Sequence, residues 1–296
     1  MATFTAADII LGATTVRSVT SVTHSSGSQA RKSMTSGGAT ISQISGLLAE
    51  EVSTFVSNDI GILSALGTNT FVSVGLYLSA STITIPFKSR TTGGLFASGS
   101  NHSALSGAAA MIIPTQIEAT QDADAGATMT CEIHWLSADG TTAGATGSTG
   151  NALASQAFSE EFALGPVYIN ASEVTGIQNW RVSPGITLVK SSEKGLTRAT
   201  KISIQTVMPT IEITTDNIDA LVATLNAFTA MTSANVYLRK RADAGVYSAS
   251  TDNVRYTFAG GLRFSEGVDV SDTGNGTGTI TLHGKALTSS SAVAIP

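Results

Sequence analysis

"SNDIGIL" at Ser57–Leu63 and "TDNIDAL" at Thr215–Leu221 open two helices of one design in a single chain. In each, small polar residues (Ser57 or Asn58; Thr215 or Asp216) precede an apolar series and can accept from the N–H groups left over at a first helical turn. Ile60, Leu63 and Leu66 then fall on one helical face, and Ile218, Leu221, Val222 and Leu225 fall on the other helix's corresponding face. Helices of about three turns are too short to stand alone in water, so each is expected to lie against a sheet. The recurrence asks whether one domain has been written twice.

Sliding the sequence 158 positions along itself sets Ala13 on Ala171, Val16 on Val174 and Gly27 on Gly185 without a gap. Lys32-Ser33 then meets Lys190-Ser191, Gly37 meets Gly195, Ile44-Ser45 meets Ile202-Ser203, and the helix residues Ile60, Leu63 and Ala65 meet Ile218, Leu221 and Ala223. After a short indel, "GLYL" from Gly75 matches "NVYL" from Asn235, and "GLF" from Gly94 matches "GVY" from Gly245. "IEATQDADAGATMTC" from Ile117 matches "VDVSDTGNGTGTITL" from Val268. The chain reads as a tandem duplication.

Each copy has one plan. A short strand ("DIIL"; "PVYI") leads into a loop-rich excursion holding Gly27 or Gly185, followed by a strand ("ATISQI"; "ATKISIQT") and an extended segment ("EVSTFV"; "TIEITT"). The apolar-polar alternation of "TIEIT" is that of a half-buried strand. The helix comes next, then further strands, and a closing hairpin that in the second copy carries Asn275-Gly276, a strong turn signal. Pro86 and Pro114 suit strand ends. The expected fold is mainly β, two tandem copies of an antiparallel β-sandwich or barrel domain, each with one short packed α-helix. The boundaries are 1–140 and 159–296, with the Gly/Ala/Ser/Thr stretch 141–158 between them read as a flexible linker.

Of 296 residues, 42% are hydrophobic, enough for a core in each copy, while only 12% are charged. The usual charged share is about 25%. A surface so poor in charge is weakly defended against association and suits a subunit covered by neighbours. The net charge of −5 without a basic block excludes tight sequence-independent binding to nucleic acid. Cys131 is the sole cysteine, so no intrachain disulfide forms. The N-terminal stretch has no positively charged lead-in to an apolar run, and no stretch nears ~18 apolar residues, so folding in a cytoplasm is expected.

Chemistry-bearing patterns are sparse. His24, His102, His134 and His283 are scattered, and none has metal-ligand spacing to Cys131. No G-x-S-x-G or P-loop lysine occurs, and "GATGSTG" at Gly144 opens no helix. Asp122 and Asp124, with Asp269 and Asp272, read as acidic hairpin tips rather than a Ca²⁺ site, and Trp135 and Trp180 as core or interface residues. Glu160-Glu161 reads as a solvated face, since adjacent side chains point apart. No catalytic, metal or cofactor residue is expected, and the chain is not read as an enzyme. The candidate contact residues are basic: Arg31 and Lys32 in the first excursion, Lys190 and Lys194 in the second, and Arg239 and Arg241 in "YLRKRADAGVYS". In an assembly such arms would set orientation and specificity more than affinity.

The pair "EVSTFVSNDIGILSAL" and "PTIEITTDNIDALVATL", a strand, a capped turn and a short amphipathic helix in a Thr/Ser-rich β context, resembles the tail tube proteins of long-tailed bacteriophages and the inner tubes of contractile injection systems. The resemblance is one of pattern and covers both copies. It implies a structural virion protein whose fused tube domains let three chains form a pseudo-hexameric ring, stacked with others around a lumen for DNA. It further implies assembly in the host cytoplasm, contacts with tape measure, terminator and distal tail proteins, DNA as passing cargo only, no cofactor and no membrane anchor. The alternative is another β-rich assembly protein, such as a head decoration, tail terminator or surface-layer protein.

Overall fold

A computed structural model describes residues 3–34, 41–46, 48–66, 70–90, 99, 102–122, 126–153, 160–193, 195–218, 229–241, 247, 251–269 and 276–296. The first part of the chain holds β1 (Thr3–Ala6), β2 (Ile9–Leu11), β3 (Thr14–Val16), β4 (Val19–Ser25), β5 (Ala30–Met34), β6 (Ile41–Gly46) and β7 (Val52–Ser57). Two single-turn helices, α1 (Ile62–Ala65) and α2 (Phe71–Val74), precede β8 (Leu76–Leu78), β9 (Ile83–Arg90), β10 (His102–Gly107), β11 (Ala110–Thr120), β12 (Thr128–Trp135) and β13 (Thr146–Asn151). The rest comprises β14 (Phe162–Ile169), β15 (Ser172–Val174), β16 (Ile177–Ser183), β17 (Ile186–Ser191), β18 (Lys201–Val207), β19 (Thr210–Thr215), β20 (Thr229–Lys240), β21 (Asn253–Asp269) and β22 (Thr277–Val293).

The protein is mainly β and its sheets are antiparallel. One sheet runs β13-β10-β9-β2-β3, with β1 also on β9. A twelve-stranded sheet runs β15-β14-β20-β21-β22-β19-β16-β11-β12-β7-β4, with β8 beside β11. The hairpins β5–β6 and β17–β18 stand apart as projecting arms.

Strand pairing recurs along the chain in fixed register. Val19↔Ser57 and Val22↔Phe55 between β4 and β7 reappear 158 positions later as Ile177↔Thr215 and Trp180↔Ile213 between β16 and β19, with a bulge at the same place. Ile9↔Val16 becomes Val167↔Val174, and Lys32↔Ile44 in the first arm becomes Lys190↔Ile202 in the second. The turns follow suit. Ser57 Oγ accepts from Asp59 N (2.9 Å) and donates to Arg17 O (2.6 Å); Thr215 Oγ1 accepts from Asn217 N (3.0 Å) and donates to Thr175 O (2.8 Å).

In the later strands the spacing changes but the order does not: β13-β10-β9-β2-β3 is echoed by β22-β21-β20-β14-β15, and β11-β12-β7-β4 by β21-β22-β19-β16. So β21 and β22 each span what two strands span in the first part. β21 holds Gly260 (φ +64°) and Gly261 (φ +144°) midway along, the second in backbone where only glycine is at ease. The corresponding place in the first part is the break between β10 and β11.

Alternation explains the strands. β7, "VSTFVS", buries every second residue, so Ser53, Phe55 and Ser57 face in; in β19, Ile211, Ile213 and Thr215 do so while Glu212 faces out. The faces of both sheets share one core, in which Trp135, Trp180, Tyr256, Phe55, Phe71 and Phe258 are the largest buried side chains. Each such residue contributes roughly 1.5–3 kcal/mol by leaving water. Trp135 Nε1 donates to the buried Ser53 Oγ (2.8 Å), and Trp180 meets Tyr256 edge-on with ring centroids 6.2 Å apart. Both tryptophans are core residues, as expected.

Three expectations change, and a fourth lies outside the described residues. The first helix of about three turns is instead two four-residue helices, and α1 starts after Gly61 with no side-chain cap. Ser57 shapes the turn before it, because its hydroxyl is spent on Asp59 N and Arg17 O. The second helix lies outside the described residues except Ile218. "GLYL" and "NVYL" are not equivalent: in the pairing with the β2 and β14 strands, Asn235 occupies the place of Thr84, so Tyr237 corresponds to Pro86. Tyr77 is accordingly 56% exposed and Tyr237 is buried. Lastly, Thr146–Asn151, in the stretch read as linker, is β13, paired with β10. The Asn275 turn and the residues matched as "GLF" and "GVY", apart from Tyr247, lie outside the described residues.

Candidate functional site

The expected basic residues separate into two places. Lys32 on β5 and Lys190 on β17 hold equivalent positions of the two arms, and Arg31 precedes Lys32 where the second arm has Val189; Lys194 lies outside the described residues. Arg239 is the last residue but one of β20, its guanidinium stacked 5.3 Å from the Tyr247 ring, and Arg241 lies just past the strand, its N–H donating to Glu161 O (2.8 Å). These two line a groove of about 610 Å³ together with Thr120, Asp122 and Glu173, so its lining carries charge of both signs.

The second arm is docked on the first part of the chain. Backbone bonds run Ala49 N to Thr197 O (2.6 Å), Ser137 N to Ala199 O (2.9 Å) and Arg198 N to Gly140 O (3.1 Å). Under them lies Glu51, 6% exposed, which pairs with the Arg198 guanidinium through one oxygen; the other accepts from Gly144 N (2.7 Å) and Ala145 N (3.2 Å). Both oxygens of this buried carboxylate are partnered, as a buried charge requires. Lys190 Nζ adds a 3.4 Å contact to Glu50.

A second seam runs inside the twelve-stranded sheet. β11 pairs with β16 as Ile117↔Val182, Glu118↔Arg181, Ala119↔Trp180 and Thr120↔Asn179. Arg181 lies 3.5 Å from Glu118 and 3.8 Å from Glu212 on the outer face. These half-exposed pairs add little stability, about 0–1 kcal/mol each. Their effect is to favour this register.

Elsewhere the titratable groups are dispersed. Burial raises the carboxyls of Asp8 and Asp59, and a hydrogen bond from His134 lowers that of Glu132. Burial also holds the Cys131 thiol protonated. His24 Nδ1 lies 2.9 Å from Ser53 Oγ, and His102 Nδ1 accepts from Ser89 N (3.1 Å). Among the described residues no three His, Cys, Asp or Glu side chains converge to hold a metal, and no helix is long and apolar enough to cross a membrane.

Sequence reasoning missed Glu51, Arg198, Glu118 and Arg181. Each is an ordinary charged residue whose partner lies far along the chain, and no local pattern marks it. No known protein family matches the chain, and no curated protein sequence matches it.

Proposed function

We propose that this chain is a structural virion protein, a tail tube subunit with two fused copies of one tube domain, three chains closing a pseudo-hexameric ring and rings stacking around a lumen for DNA. The observation that carries this reading is the β11–β16 seam. It joins two halves of matching strand order edge to edge in one sheet, so the unit is of a kind that extends sideways. Fusing two domains halves the chains needed per ring while keeping six similar joints. Closing the ring would cover the remaining sheet edges, which are otherwise an aggregation hazard. The register recurrence supports the duplication, and the scarcity of charge supports a surface covered by neighbours. A net acidic wall neutralises few phosphates, so DNA would slide without sticking.

Negative-stain microscopy of the purified protein tests this. Threefold rings with six lobes, or hollow tubes, are expected. A monodisperse monomer at every concentration and salt would end the proposal.

A further inference from the structure

The seam inside the chain supplies a register from which the place of the next chain can be worked out. Resting on the ring reading, we propose that a second copy lays its β4 edge against the end of β21, with His24 opposite Val268 and Thr23 opposite Asp269, while its β5–β6 arm covers Met208.

The register comes from the internal seam. By position in the sheets, β4 corresponds to β16 and the end of β21 to the end of β11, so Ile117↔Val182 and Glu118↔Arg181 translate to Val268↔His24 and Asp269↔Thr23. The two edges differ in cover as this requires. Trp180 and Val182 of β16, paired with Ala119 and Ile117 of β11, are fully buried, whereas their counterparts Val22 and His24 lie on β4, which ends the sheet with most of its residues exposed. Val268 is likewise exposed at 37%. One edge at each end of the chain, each matching half of the internal seam, gives head-to-tail addition of identical copies.

The arm socket carries the new element. Gly27 and Glu50 make the same turn as Gly185 and Met208: Glu50 N donates to Gly27 O and Met208 N to Gly185 O. Likewise Trp135 N donates to Glu51 O, and Gly284 N to Pro209 O. So where the internal arm finds Glu50 and Glu51, an incoming arm finds Met208 and Pro209. Met208 is 64% exposed, the most exposed of the large apolar side chains among the described residues. The arm socket within a chain is locked by a buried ion pair, and the arm socket between chains is apolar. Assembly is then little affected by salt, because it does not depend on an ion pair.

Two variants test it. Thr23→Cys with Asp269→Cys in one chain, treated with a short bismaleimide, gives covalent dimers and trimers, as Glu118→Cys with Arg181→Cys gives an internal link; native Cys131 is buried and does not interfere. Met208→Asp, on an exposed site, leaves the circular dichroism and melting of the monomer unchanged and weakens association at least tenfold. Rings that form without the 23–269 link, while the internal control links, overturn the joint and leave the tube reading standing. A Met208→Asp protein that assembles as well as wild type overturns the socket. A chain that never associates overturns both.

Discussion

Glu51 concentrates several dependencies in one side chain. Removing it takes the carboxylate from the Arg198 side chain, itself 24% exposed and left with only the Nε bond to Thr141 O (3.2 Å), and leaves two backbone N–H groups without their acceptor. Glu51→Ala is expected to cost about 3 kcal/mol, the scale for breaking a buried pair from one side. Glu51→Gln is expected to cost less, because its amide oxygen still accepts from the Gly144 and Ala145 amides. Urea unfolding reads both as a lower midpoint with an unchanged slope; a loss below about 1 kcal/mol for the alanine variant would remove Glu51 from the joint. Nothing near Glu51 in the sequence announces this role, since the pairing is made by docking an arm from the other half. The buried fate of Trp135 and Trp180 was legible, because large aromatic side chains among alternating apolar residues have few other places to go.

At the scale of elements, the turns that aim the arms depend on glycine. Gly27 (φ +58°) and Gly185 (φ +65°) sit in the left-handed region, and an added Cβ would run into the backbone carbonyl of Glu50 or Met208 respectively. Each Gly→Ala change is expected to cost at least ~2 kcal/mol, from left-handed strain of about 1–2 kcal/mol plus the clash. Gly195 (φ +71°) is the control, with open space around it; its alanine variant pays the conformational part alone. Equal melting temperatures for Gly185→Ala and Gly195→Ala would refute the distinction. These glycines were visible in the sequence as coincident turn positions. The helices were visible only in outline: the face of Ile60, Leu63 and Leu66 is buried as expected, but propensity could not show that the chain would take two single turns with a break between them.

For the whole molecule, the shared sheet has a thermodynamic consequence. Because β11 and β16 lie side by side and the second arm is anchored on Glu51, neither half can unfold without exposing an edge and a buried ion pair of the other. Calorimetry on the dilute chain should therefore show one cooperative transition, with matching calorimetric and van't Hoff enthalpies. Two resolved transitions would mean that the halves are stable separately and the seam is weak.

The sequence by itself determined the β character, the strand faces and the recurrence at 158 positions, because alternation, turn glycines and apolar spacing are local properties written residue by residue. Only the tertiary structure decided that Asn235 answers to Thr84, that 146–151 is a strand, and that Glu51 meets Arg198. Those facts depend on which edges come together, and edge pairing is made by backbone groups that every residue shares.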